Sequence, residues 1–172
     1  MKKSIVPPTS SAASVSSSPE KLTKLIAFNI GKLNLALPIE SVVQVTACPT
    51  IHGSGLASLG ITQVGDRQVT VIDLYRHLFK ASSPQEQANT CLLVGQTQTG
   101  ELFGIPLQAP PSLLEIPVSS IRYLPETYRR ADTLGIADRI AMVTHTEKPF
   151  TLFCLDVEIV LSATHGGNYA IA

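Results

Sequence analysis

Between Leu22 and Leu155 the chain is a succession of short apolar stretches, each cut off by glycine, proline or a run of polar residues. That rhythm constrains the fold more than any other feature. Most stretches alternate at a period of two and are too short for ordinary helices, which points to strands. Leu22 to Ile30 reads as a strand, Gly31-Lys32 as a turn, and Leu33 to Leu37 as its hairpin partner. Pro38 has no N–H to donate and ends that pairing. Ile39, Val42 and Val43 fit one helical turn, while Val43 and Val45 fit a strand. A short helical turn running into a strand satisfies both. Ile61 to Val64 and Arg67 to Ile72 are strands about a tight Gly65-Asp66 turn. Asp73 then precedes Leu74, His77 and Leu78 at helical spacing, so it is the expected N-cap of a helix to about Lys80.

After a polar linker over residues 81–89 the layout recurs. Cys91 to Gly95 and Glu101 to Leu107 are strands about a turn, with Pro106 ending the second. Leu113 to Val118 is apolar, Pro125 to Thr133 is a polar loop, and Leu134 to Thr144 and Phe150 to Leu155 are strands. Asp156 opens a last helical turn. Gly31-Lys32-Leu33, Leu37-Pro38-Ile39 and Val71-Ile72-Asp73-Leu74 with Leu78 are matched by Gly100-Glu101-Leu102, Ile105-Pro106-Leu107 and Cys154-Leu155-Asp156-Val157 with Leu161. Two such halves make two barrel-like lobes, each too small to bury much alone, so they should pack together.

The apolar share is 44% in 172 residues, enough for a core. Basic and acidic residues balance at 13 each. Without a positive field, nucleic acid is excluded as the main partner. No apolar run approaches the roughly 20 residues that cross a bilayer. Met1-Lys2-Lys3 is followed by serine, alanine and proline rather than the apolar core of a secretory signal. A cytoplasmic protein is expected, with no direct membrane insertion. Residues 1–21 read as a disordered Ser/Pro-rich tail, 22–162 as the folded domain, and 163–172 as a flexible C-terminal tail. The lobes divide at about 22–80 and 90–162, with an exchange of terminal strands between them left open. Cys48, Cys91 and Cys154 are odd in number and far apart, as expected of reduced thiols.

Reactive chemistry is sparse. The stretch Gly53 to Gly60 does not match a nucleophile elbow and lacks a phosphate-binding lysine. His52, His77, His145 and His165 do not pair with one another or with cysteine at metal-ligand spacing, so no metal is expected. Asp66-Arg67 reads as a solvated pair in a turn. Asp73 and Asp156 are the most tempting carboxylates, but their matched contexts favour two helix caps over an acid–base pair. Arg129-Arg130 beside Tyr128 is the best exposed basic spot, a solvated loop or a contact for acidic groups. The residues therefore predict no catalytic group and no cofactor.

Ala36-Leu37-Pro38-Ile39-Glu40-Ser41-Val42-Val43-Gln44-Val45 resembles the "a-l-P-i-e-x-V-x-e-V" stretch of CheW-like domains. Gly60-Ile61-Thr62-Gln63-Val64 followed by Val69-Thr70-Val71-Ile72-Asp73-Leu74 resembles their "G-x-i-n-l-R-G-x-v-x-P-v-i-D-L" signature. The resemblance runs from about Leu22 to Ser162. It implies an all-β fold of two five-stranded, SH3-like barrel lobes with short helices around a shared apolar core. It also implies a non-catalytic adaptor of a chemotaxis-type system, serving taxis or pilus-based motility. Such an adaptor links the hairpin tip of a chemoreceptor to the regulatory domain of a CheA-type histidine kinase. On matching positions, the implied partner-contacting residues are Val42, Val45, Gly60 and Val64. The signature arginine falls at Gly65, its glycine at Asp66, and a later proline at Thr70. Ala109-Pro110-Pro111 stands where "D-x-V-x-x-V" is usual. Two alternatives stand beside this reading: the same module turned to another protein partner, or a small hydrolase built on Asp73 and Asp156.

Overall fold

The computed structural model describes residues 18–54, 57–82, 89–131, 135–145 and 148–165. The predicted N-terminal tail up to Ser17, most of the linker, and 166–172 lie outside the described residues.

The first hairpin is β1 (Leu22–Ile30) and β2 (Leu33–Pro38), followed by a 3-10 turn over Ile39–Ser41 and β3 (Val42–Ala47). Then come β4 (Leu59–Val64), β5 (Arg67–Ile72) and the short helix α1 (Leu74–Phe79). The second half gives β6 (Cys91–Gln96), β7 (Leu102–Leu107), β8 (Ser112–Pro117), a 3-10 turn over Val118–Ser120, and β9 (Ile121–Tyr123). It ends with α2 (Glu126–Ala131), β10 (Ala137–His145), β11 (Lys148–Leu155) and α3 (Val157–His165).

Local chemistry accounts for the punctuation. Gly31 and Gly65 take φ of +58° and +64°, whereas Lys32 and Asp66 do not enter that region. Glycine at the first central position of a two-residue loop is what a type II′ hairpin turn requires. Pro38 and Pro117 each lead into a 3-10 turn, and each carbonyl accepts a hydroxyl, from Ser41 at 2.8 Å and Ser120 at 2.7 Å. The second proline break is thus at Pro117, not Pro106. β7 runs through Pro106 because its pairing with β5 is confined to Phe103 and Gly104. By Pro106 that side of the strand has no ladder left to interrupt. The expected loop after Pro125 instead contains α2. Pro125 precedes its first turn and Glu126 complements the helix dipole there. Glu126, Thr127 and Tyr128 are exposed, so no apolar periodicity marks its start.

The strands form two sheets, ordered β8-β1-β2-β11-β10-β9 and β3-β6-β7-β5-β4. The sheets do not divide at the linker. Each half of the chain gives its first hairpin to the other half's sheet: β1–β2 sits with β8–β11, and β6–β7 with β3–β5. Five strands correspond between the sheets, each with one parallel pairing, β2 with β11 and β7 with β5. β9 adds a sixth strand to the first sheet.

This exchange sets the core. Leu25, Ala27, Ala36 and Leu152 pack inside the first lobe, and Val69, Val71, Leu92 and Val94 inside the second. The largest cluster lies between them. Phe28, Ile30, Leu35 and Leu37 meet Leu93, Phe103, Ile105 and Leu107, with Leu74 and Leu78 of α1 and Val160 and Leu161 of α3. The exchanged hairpins are buried on both faces, which explains why Cys91 to Gly95 reads as an unbroken apolar run. Folding either lobe therefore completes the core of the other.

Candidate functional site

β3 carries the first two candidate positions. Val42, opposite Gly95, is half-buried against the shared core. Val45 is 44% exposed and stands opposite Leu93, so it lies on the face of the sheet that also forms the shared core. The register slips between Val42 and Gln44, which makes Val43 the extra residue of a bulge, 49% exposed. β4, at the other end of the strand order, carries Gly60 opposite Val71 and Val64 opposite Arg67. Val64 is half-buried against the core of its own lobe. Ile61, 49% exposed, lies between these two. The structure thus places the four predicted residues on one lobe but on two separated strands, and among the three valines only Val45 is strongly exposed. Val43 and Ile61 escape sequence reasoning. The one signal for them is that their strands hold more apolar residues than one inward face needs.

A strap, Cys48 to Gly53, joins the two strands. His52 N–H donates to Ile61 O at 2.8 Å and Ile61 N–H returns to His52 O at 2.7 Å. The Thr62 hydroxyl donates to Thr50 O at 2.7 Å. A cavity of about 510 Å³ lies on one side of the strap, with Cys48, Ile51, Gly60, Val71, Asp73 and Arg76 in its wall. Another, of about 570 Å³, lies beside Thr50, His52, Ile61 and Gln68.

The tempting acid and base groups have structural tasks. Asp73 accepts from Arg76 N–H at 2.9 Å and Asp156 from Ile159 N–H at 3.2 Å, so both are helix N-caps. Asp73 lines the first cavity and Asp156 is not among its wall residues. His77 is half-buried, and burial, then Lys80, pushes its imidazole below the usual value. His52 is exposed on the strap, and the side chains of His145 and His165 lie outside the described residues. Burial pushes the Cys48 thiol up, reinforced by Cys91, and pushes Cys154 up as well. Asp66 and Arg67 are both exposed, Arg129 is half-buried, and Tyr128 is exposed beside it. Among the described residues no three His, Cys, Asp or Glu side chains gather into a metal-binding group. Among them, too, no helix is long and apolar enough to cross a membrane.

No curated protein sequence matches this one as a relative. Among solved structures, the fold is similar to the crystal structure of the scaffolding protein TtCheW from Thermoanaerobacter tengcongensis. The TM-score is 0.63 at 18% identity, over 83% of this chain and 88% of that one. The family model of the CheW-like domain matches residues 24–164. That span takes in both sheets, the exchanged hairpins and the strap, and the chain belongs to the CheW-like domain family.

Proposed function

We propose that the chain is a non-catalytic adaptor of a chemotaxis-type signalling system, joining a chemoreceptor hairpin tip to the regulatory domain of a CheA-type histidine kinase. The observation that carries this is the combination of family membership over 24–164 with exposed valines on the outermost strand of a sheet. Val43, Val45 and Ile61 offer uncharged apolar surface of the kind found at the centre of protein–protein contacts. Val42 packs on the shared core and Val64 on the core of its own lobe. The commitment of Asp73 and Asp156 to helix capping argues against the hydrolase alternative. A receptor hairpin tip would dock by laying an apolar helix face against such a surface.

Titration calorimetry against a purified CheA-type regulatory domain tests the kinase arm. An affinity of about micromolar or tighter is expected. No heat at high concentration of both proteins overturns it.

One observation favours a second reading, in which the module has kept its fold and changed its partner. The position of the family arginine is Gly65, at φ +64°, where an L side chain is strained. An arginine there would disturb the turn, so the substitution is built into the hairpin. Co-purification from cells, with the captured partner identified, separates the two readings.

A further inference from the structure

The two lobes close the same edge differently. In the first lobe the outer side of β10 is covered by β9, paired through Arg139 with Tyr123, Ile140 with Arg122, and Ala141 with Ile121. The corresponding strand of the second lobe is β4, and among the described residues its outer side is covered by the strap alone, through the bridge of His52 with Ile61. The strap is seated against Gly60. A Cβ built on Gly60 would stand 2.7 Å from Ile51 Cγ2 and 3.2 Å from His52 O. The first distance is shorter than real Cβ atoms show. A side chain at this position must displace the Ile51 methyl and press on the His52 carbonyl.

From this we infer that Gly60 is a positioning residue: it lets the Cys48–Gly53 strap lie flat on β4, and the seated strap holds Ile61 and the end of β3 in the arrangement a partner reads. The inference rests on the adaptor reading and changes what Gly60 does within it. Gly60 has no side chain to offer a partner and is itself only partly exposed. The strap is a continuation of β3, anchored at its start by Cys48 N–H to Thr90 O at 3.2 Å. A lifted strap therefore disturbs both candidate strands at once. Thr62 supplies an independent handle. It is 3% exposed, out of reach of any partner, and its hydroxyl holds Thr50 O.

The test compares the full chain with Gly60→Ala, Thr62→Val, and Gly60→Ala combined with Ile51→Ala. Two readouts are taken: hydrogen exchange at the His52 amide, which needs no partner, and affinity for a CheA-type regulatory domain. Gly60→Ala should speed His52 exchange by about tenfold or more, the factor that modest overpacking corresponds to. Thr62→Val should speed it about five- to tenfold, the factor of one neutral hydrogen bond. Both should weaken binding by similar factors. Adding Ile51→Ala removes the colliding methyl and should return exchange and affinity toward the wild-type values. Weakened binding by Gly60→Ala with His52 exchange unchanged, or without rescue, overturns the inference and makes Gly60 a direct contact. Faster exchange with unchanged affinity overturns it as well. Should Gly60→Ala fail to fold, Thr62→Val decides. No binding by the wild-type chain sinks the adaptor reading and the docking half of the inference, and the exchange arm then judges the seating of the strap alone.

Discussion

Adding one methyl group at Gly95 should test the exchanged hairpin more sharply than a large truncation. Gly95 pairs with Phe103 across β6 and β7 and with Val42 across β3. A Cβ there would lie 2.2 Å from Phe103 Cζ, 2.7 Å from Cε1 and 2.8 Å from Ser41 O. Ordinary contact begins near 3.4 Å, so the ring must retreat by more than an ångström. Phe103 is 1% exposed in the core shared by both lobes and has nowhere empty to go. Two effects oppose each other. Gly95 is not at positive φ, so alanine should gain about 0.4–1 kcal/mol from the unfolded chain. Overpacking costs about 1–3 kcal/mol, more where backbone is also struck. The steric effect wins, and Gly95→Ala should be destabilising by about 1–2 kcal/mol, or roughly 2–8 °C in Tm for a chain of this size. Urea unfolding followed by circular dichroism measures it. Phe103→Leu in the same background should relieve the collision, so the double variant should be more stable than the sum of the singles by about 1 kcal/mol. Each variant should unfold in one transition, because the disturbed core belongs to both lobes. A neutral Gly95→Ala, strict additivity with Phe103→Leu, or separate melting of two lobes would refute the register and the exchange together.

Val45→Asp should weaken kinase binding about tenfold or more, since burying its exposed part removes roughly 60 Å² of apolar surface, worth about 1.5 kcal/mol. Its stability should shift by no more than about 0.5 kcal/mol, and an equal loss of both would mean that the valine is a packing residue. For His77, burial and Lys80 lower the folded-state value below the ordinary 6.5, so folding favours the neutral ring. The stability it contributes is fully present above that value and is lost as the pH falls below it. Urea midpoints between pH 7.5 and 5.5 should therefore fall more in the wild type than in His77→Gln, and parallel curves would contradict this. The cysteines should react with iodoacetamide in order of access. Cys48 should react slowly, its thiol held protonated by burial, and Cys91 and Cys154 only at the rate of unfolding. Rapid labelling of Cys154 under native conditions would contradict the packing of the first lobe.

Much of the strand content was legible because each turn carries its own chemistry. Gly31 and Gly65 announce tight hairpins, and Asp73 and Asp156 announce helix starts, through short-range requirements that a sequence states directly. The matched segments around those aspartates mark the two parallel pairings, since Val71 and Cys154 occupy equivalent places beside Gly104 and Ala36. What could not be read is long-range. Nothing local says that β1–β2 pairs with β8 and β11 instead of β3, because an apolar strand buried on both faces suits either neighbour. β9, with three paired residues, is too short for alternation to show. The candidate contact surface was half legible. Val45 was singled out by its motif and is exposed, whereas the exposure of Val43 required knowing that a bulge shifts the register. The role proposed for Gly60 depends on a strap packed against it, which no local pattern states.

An adaptor should hold two other proteins together that do not otherwise associate. Sedimentation velocity on a mixture of CheA-type regulatory domain, chemoreceptor hairpin fragment and this chain measures that association. The kinase domain and receptor fragment should travel in one faster boundary only when this chain is present. Separate boundaries for kinase domain and receptor fragment in all mixtures, at concentrations well above micromolar, would contradict it.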